Sequence, residues 1–176
     1  MLRREIEAKA EAFLRQHKSL RPPIDVEKLA LAEGIVVARN EFSGNESGFA
    51  LSQGETRIIG VNSSTHPRRQ RFTIAHELGH LLLHHKPLIV DHSILVSRRN
   101  EISALGTDQE EIEANAFAAA LLMPADAVER ELSNAMKRIR DFDRDRAVQK
   151  LASVFDVSTD AMGYRLVNLN LITGWI

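Results

Sequence analysis

No cysteine occurs among the 176 residues, which excludes disulfides and every thiolate metal site and fits a reducing, cytoplasmic compartment. A charge excess is missing as well. With 23 basic and 24 acidic side chains, no overall field draws the chain toward nucleic acid or an anionic membrane. Long hydrophobic runs are also lacking. The longest, Ala116 to Met123, is far too short to cross a bilayer. The stretch Met1 to Ala10 mixes charged and apolar residues and has no signal-peptide h-region. Repeats and low-complexity tracts are absent too. The length suits a single domain with a substantial core, residues 1–124 forming the main body and 125–176 a helical segment.

Against this plain background stands His76-Glu77-Leu78-Gly79-His80, set in a run with apolar residues at Phe72, Ala75, Leu78, Leu82 and Leu83. Two histidines at i and i+4 share one helical face, where both imidazoles reach a single metal ion. The glutamate one position after the first histidine then lies beside the open coordination position, as a general base. Zinc held this way brings the pKa of its bound water to about 7, which is the chemistry of a zinc peptidase. Ser63, Ser64 and Thr65 offer N-caps, Pro67 suits the first turn, and Lys86 with Pro87 stops a helix over about 66–85. Gly79 inside that helix costs about 1 kcal/mol relative to alanine. Close packing on a neighbouring backbone would explain it, and simple tolerance is the alternative.

The residues after the motif limit the site's class. A glycine and a third histidine, three and six positions past His80, would mark a metzincin, and Leu83 and Lys86 stand there instead. His84 continues the i, i+4 series, but its Cα lies about 12 Å along the axis from that of His76. Three ligands in line cannot surround a tetrahedral ion. His84 and His85 therefore belong to the last turn, where partial positive charge is favourable. The third ligand is sought in the acidic cluster Asp108 to Glu113. Thr107 and Glu110 read as a capping box, and Glu113 falls on a different side from Glu111. Glu111 and Asn115, at i and i+4, edge the stripe Ala114, Phe117, Ala118, Leu121 and Leu122. A carboxylate there can ligate zinc while the amide orients a ligand imidazole. A solvated acid at a helix start fits Glu111 equally well.

The segments Arg69–His84 and Glu111–Pro124, preceded by Gly48-Phe49-Ala50 and Ile59–Asn62, resemble the signature blocks of the ImmA/IrrE metallopeptidases over about Ile24 to Leu169. The resemblance implies a gluzincin-type site holding one zinc ion per chain, with His76, His80 and Glu111 as ligands and Glu77 catalytic. Asn115 matches the family position one turn after the third ligand. The resemblance also implies a protein substrate, characteristically a helix-turn-helix transcriptional repressor whose cleavage releases mobile-element or stress-response genes.

The remaining pattern reads as an α+β, zincin-like fold: a small antiparallel or mixed sheet packed on the motif helix, with further helices at the C-terminal end. A helix over 2–17 is built on Ile6, Ala10, Phe13 and Leu14 and ended by Pro22 and Pro23. Asp25 caps a second over about 26–33. Ile35 to Ala38 reads as a strand. Phe49 to Leu51 and Arg57 to Val61 form a hairpin about Gly54, and a short strand is expected near Leu88 to Val90 within the connection 87–106. Helices follow over about 108–122, 144–155 and 159–168, with Met123 and Pro124 breaking the first from its successor. The strand at Phe49 to Leu51 is expected to offer an edge for an extended peptide.

Residues Ala147 to Leu166 carry a helix-turn-helix rhythm, with Ser158, Thr159 and Arg165 near a would-be recognition helix. Asp156 and Asp160 at the groove-facing end oppose phosphate, which disfavours direct nucleic-acid binding. Arg68 and Arg69 read as a solvated face. Tyr164, His66 and His92 are candidates for oxyanion stabilisation, and Arg98 and Arg165 for substrate contact. A zinc endopeptidase is the leading reading. A non-catalytic module that binds a regulator, and a DNA-binding regulator, are the alternatives.

Overall fold

Ile6, Ala10, Phe13 and Leu14 are the buried residues of α1 (Arg3–Gln16), so its hidden face follows the apolar spacing. Pro22 and Pro23 do not end this helix. It closes a turn earlier: Lys18 takes φ 52° and the Ser19 amide donates to the Leu14 carbonyl at 2.9 Å. The computed structural model describes residues 1–42, 46–84, 88–91, 105–138 and 143–174. Asp25 caps α2 (Val26–Ala32), accepting from the Lys28 amide at 3.0 Å.

Strands β1 (Val36–Asn40), β2 (Gly48–Gln53), β3 (Thr56–Asn62) and β4 (Leu88–Asp91) form one mixed sheet in the order β1-β3-β2-β4. β2 and β3 are the expected hairpin, turned at Gly54, whose φ of 59° suits a residue without Cβ. β1 pairs with β3 in parallel and β4 with β2 antiparallel. One expectation fails here. Phe49 and Ala50 face Val90 and Ile89 on one side and Gly60 and Ile59 on the other, so β2 is interior and presents no open edge. The edges of the described sheet are β1 and β4.

Helix α3 (Pro67–Leu83) packs against β2, β3, α2 and, most extensively, α4 (Leu105–Leu122). Its N-cap is His66, whose Nδ1 accepts from the Arg68 amide at 3.2 Å, and not Ser63, Ser64 or Thr65. α4 begins at Leu105, which places Thr107 inside the helix and not at its N-cap. α5 (Ala125–Arg138) follows the break at Met123 and Pro124. α6 (Arg144–Phe155) and α7 (Thr159–Asn168) are capped by Asp143 and Ser158. One buried apolar cluster runs from Ile6 in α1 to Leu166 in α7.

Arg68 and Arg69 are not a solvated face. Arg68 Nε lies 3.1 Å from Asp156 Oδ1 and Arg69 donates to the buried Ser47 hydroxyl at 2.8 Å. Arg71 reaches the second Asp156 oxygen at 3.3 Å and the Ile24 carbonyl at 2.9 Å. Three cations in the opening turns meet the positive end of the helix dipole unfavourably, and these acceptors offset that. The Asp156 contact also fastens the α6–α7 turn to the helix carrying the motif.

Candidate metal centre

His76, Glu77 and His80 occupy the most enclosed part of α3, at 0%, 0% and 1% exposure. Burying two imidazoles and a carboxylate together is unfavourable unless they are paired or hold an ion. The imidazoles turn their Nε2 atoms toward each other at 3.0 Å. The Glu111 carboxylate, on α4, meets both, one oxygen 3.2 Å from His76 Nε2 and the other 3.1 Å from His80 Nε2. These three side chains offer one ligand atom each within 4.8 Å of one another. They form the cluster of metal-ligating groups found among the described residues.

The crossing of α3 and α4 creates this meeting. A Cβ placed on Gly79 would stand 3.2 Å from the Phe117 ring and 3.3 Å from the Cα and carbonyl oxygen of Ala114. The close-packing account of Gly79 therefore holds, and tolerance alone does not describe it. Asn115, next to that contact, places its side-chain oxygen 3.1 Å from His76 Nδ1. A ring proton held there would leave the Nε2 lone pair for a metal ion.

Burial raises the Glu111 carboxyl's pKa, but hydrogen bonds and charge from His76 and His80 outweigh it and hold the group at about 2. Glu113 serves elsewhere. It accepts from Gln109 Nε2 at 2.9 Å and from the Met1 ammonium, and lies 4.0 Å from His84 Nδ1. His84 is the C-cap of α3, turned to Glu113 and outside the ligand cluster.

Glu77 points toward β2. A Cβ on Gly48 would come within 3.5 Å of Glu77 Oε1, and within 2.4 Å of Thr73 Cγ2 and 2.7 Å of the Gly60 carbonyl. Only a residue without a side chain lets the strand pass this close to α3. Neither Gly48 nor Thr73, one turn before Glu77 on the same face, carries a local sequence signal of its place at this contact.

The other candidates are not gathered at this cluster. His66 is exposed at the N-cap of α3, about 15 Å along the axis from His76. Tyr164 is 48% exposed on α7. Arg165 is corrected outright: it is 3% exposed, donates from Nε to the Met123 carbonyl at 2.9 Å and pairs through both terminal nitrogens with Glu7. It can touch neither DNA nor a substrate's surface. A hint was available, since Arg165 lies in register with the buried Met162 and Leu166. His85, His92 and Arg98 lie outside the described residues.

A small mixed sheet over a HExxH helix, with an acidic residue brought in from a second helix, is the zincin-like arrangement of a metallopeptidase. A family model described as the IrrE N-terminal-like domain, a peptidase family, matches residues 30–167, and the chain belongs to that family. It is similar to the radiation response metalloprotease IrrE of Deinococcus deserti, 36% identical over 113 residues, covering 64% of this chain and 36% of the relative. The protein of the same name from Deinococcus radiodurans is 33% identical over 113 residues, covering 64% of this chain and 31% of the relative. The chain thus matches about a third of the length of these curated relatives. Among the described residues, no helix is long and apolar enough to cross a membrane.

Proposed function

We propose that the chain is a zinc-dependent endopeptidase in which His76, His80 and Glu111 hold the metal and Glu77 is the general base. The observation that carries this reading is the spacing of the donor atoms. Four ligands at about 2.0–2.1 Å from zinc lie about 3.3 Å apart around a tetrahedron. The contacts among His76, His80 and Glu111 are 3.0, 3.1 and 3.2 Å. An opening of a few tenths of an ångström therefore admits the ion, and the chemistry of the donors, two imidazoles and a carboxylate, suits it. Bound by these residues, zinc would supply Lewis acidity for a carbonyl and would acidify water toward a pKa of about 7.

The chain's own residues do the rest. Asn115 keeps the His76 proton on Nδ1. Glu77, one position from a ligand and walled by β2, takes a proton from the attacking water and delivers it to the leaving amine. Glu111, at 37% side-chain exposure against 0% and 1% for the histidines, marks the side from which substrate approaches.

The substrate we propose is a partner protein, a helix-turn-helix transcriptional repressor whose cleavage derepresses mobile-element or stress-response genes. Family membership supports this, and the cysteine-free composition supports a cytoplasmic setting. The test is incubation of zinc-loaded protein with helix-turn-helix repressors of the same cell, any encoded beside its gene first, followed by mass spectrometry of the fragments. A specific cut that a chelator abolishes is expected. Zinc binding without cleavage would favour a non-catalytic, regulator-binding module.

A further inference from the structure

We infer that Gly79 is a positioning residue that sets how far Glu111 stands from the two histidines, and so matches the site to an ion of zinc's size. The inference rests on the metal centre proposed above. Glycine in a buried helix interior is less stable than alanine by about 1 kcal/mol, so its presence between His76 and His80 asks for a reason. The reason is steric. Two of the three atoms that would crowd a Cβ, the Cα and carbonyl oxygen of Ala114, are main chain and cannot rotate aside. The third, Cδ1 of Phe117, belongs to a ring that is 1% exposed and confined by the core.

The place of this contact gives it consequences for the site. Gly79 is three positions after His76 and one before His80. Ala114 is three after Glu111 and one before Asn115. This close contact of the helices thus lies within a turn of every donor and of Asn115. A methyl group at position 79 must push α4 outward by a few tenths of an ångström. The Nε2–Nε2 distance of 3.0 Å is set within α3 and would stay. The 3.1 and 3.2 Å contacts to Glu111 bridge the two helices and would lengthen. The expected result is a site of unchanged donors and larger radius.

Chelator competition with Zn2+ and with the larger Cd2+, on the full chain and on Gly79→Ala, tests this. The wider site should favour cadmium relative to zinc, lowering the zinc-to-cadmium affinity ratio at least about threefold. General destabilisation of the fold would weaken both ions alike, so an unchanged or higher ratio overturns the inference. Should Gly79→Ala fail to fold, Phe117→Leu thins the same contact without adding an atom there. It should leave the ratio at or above the wild-type value, and a lower ratio overturns the inference. Wild-type protein that binds neither ion would instead remove the metal centre itself.

Discussion

His76 Nδ1 and the side-chain oxygen of Asn115 lie 3.1 Å apart, one helix supplying the imidazole and the other the group that orients it. On the reading proposed above, this contact holds the ring's rotation and directs Nε2 to the ion. Asn115→Ala should therefore keep the fold and lower zinc affinity by about 10- to 100-fold. Competition with a chelator, with circular dichroism as the control for folding, measures the effect. Unchanged affinity would mean that packing alone orients His76.

Ligation and catalysis separate at Glu77. Glu77→Gln keeps the shape of a side chain that is fully enclosed between α3 and β2, so metal content and thermal stability should stay close to wild type. An amide cannot accept the water's proton, and cleavage should fall by about two to four orders of magnitude. A zinc-loaded Glu77→Gln protein that still cuts its substrate would refute the assigned base.

The centre of the fold was more legible in the sequence than its periphery. The apolar stripe of α1, the bounds of α6 and α7, the hairpin about Gly54 and the i, i+4 pairing of Glu111 with Asn115 follow from local pattern, which one sequence displays. What was lost depends on contacts between distant segments. No local pattern shows that β4 pairs beside β2 and covers the edge expected at Phe49 to Leu51. Nor does one show that Asp156 reaches back to Arg68 and Arg71. Basic pairs look solvated in a sequence because their partners are far along it. The N-cap of α3 was misread because Ser63, Ser64 and Thr65 are stronger cap formers than His66. Pro67 at the first helical position was the better guide, since it fixes where the helix starts.

Three acidic residues of α4 should behave as two classes. Glu111→Ala removes a donor and should strip zinc, whereas Glu110→Ala and Glu113→Ala should retain it. Elemental analysis after gel filtration distinguishes them. Glu113 should matter for stability instead. Its pKa is lowered by the hydrogen bonds from Gln109 and the Met1 ammonium. A carboxylate with a lowered folded-state pKa stabilises above its unfolded pKa of about 4.3, and that contribution disappears as pH falls through the folded value. The stability difference between wild type and Glu113→Gln should be constant near neutrality and vanish in acid. A difference that grows on acidification would show the sign to be wrong.

Arg165 offers the last prediction, because its burial turns an apparent surface cation into an internal brace. The guanidinium joins three elements: α7 carries it, Glu7 of α1 pairs with it, and the Met123 carbonyl at the end of α4 accepts from its Nε. Lysine cannot reproduce this, since one ammonium cannot serve a bidentate carboxylate and a separate carbonyl in the same planar geometry. Arg165→Ala leaves Glu7 and a buried carbonyl without their donor and should cost about 3 kcal/mol, with Arg165→Lys recovering only part of it. Urea unfolding of the metal-free protein measures both variants. Below the unfolding transition, cleavage of an intact repressor and of a short peptide spanning its scissile bond should fall together, in proportion to the folded fraction. A variant of wild-type stability that loses cleavage of the intact repressor alone would return Arg165 to the substrate-binding surface.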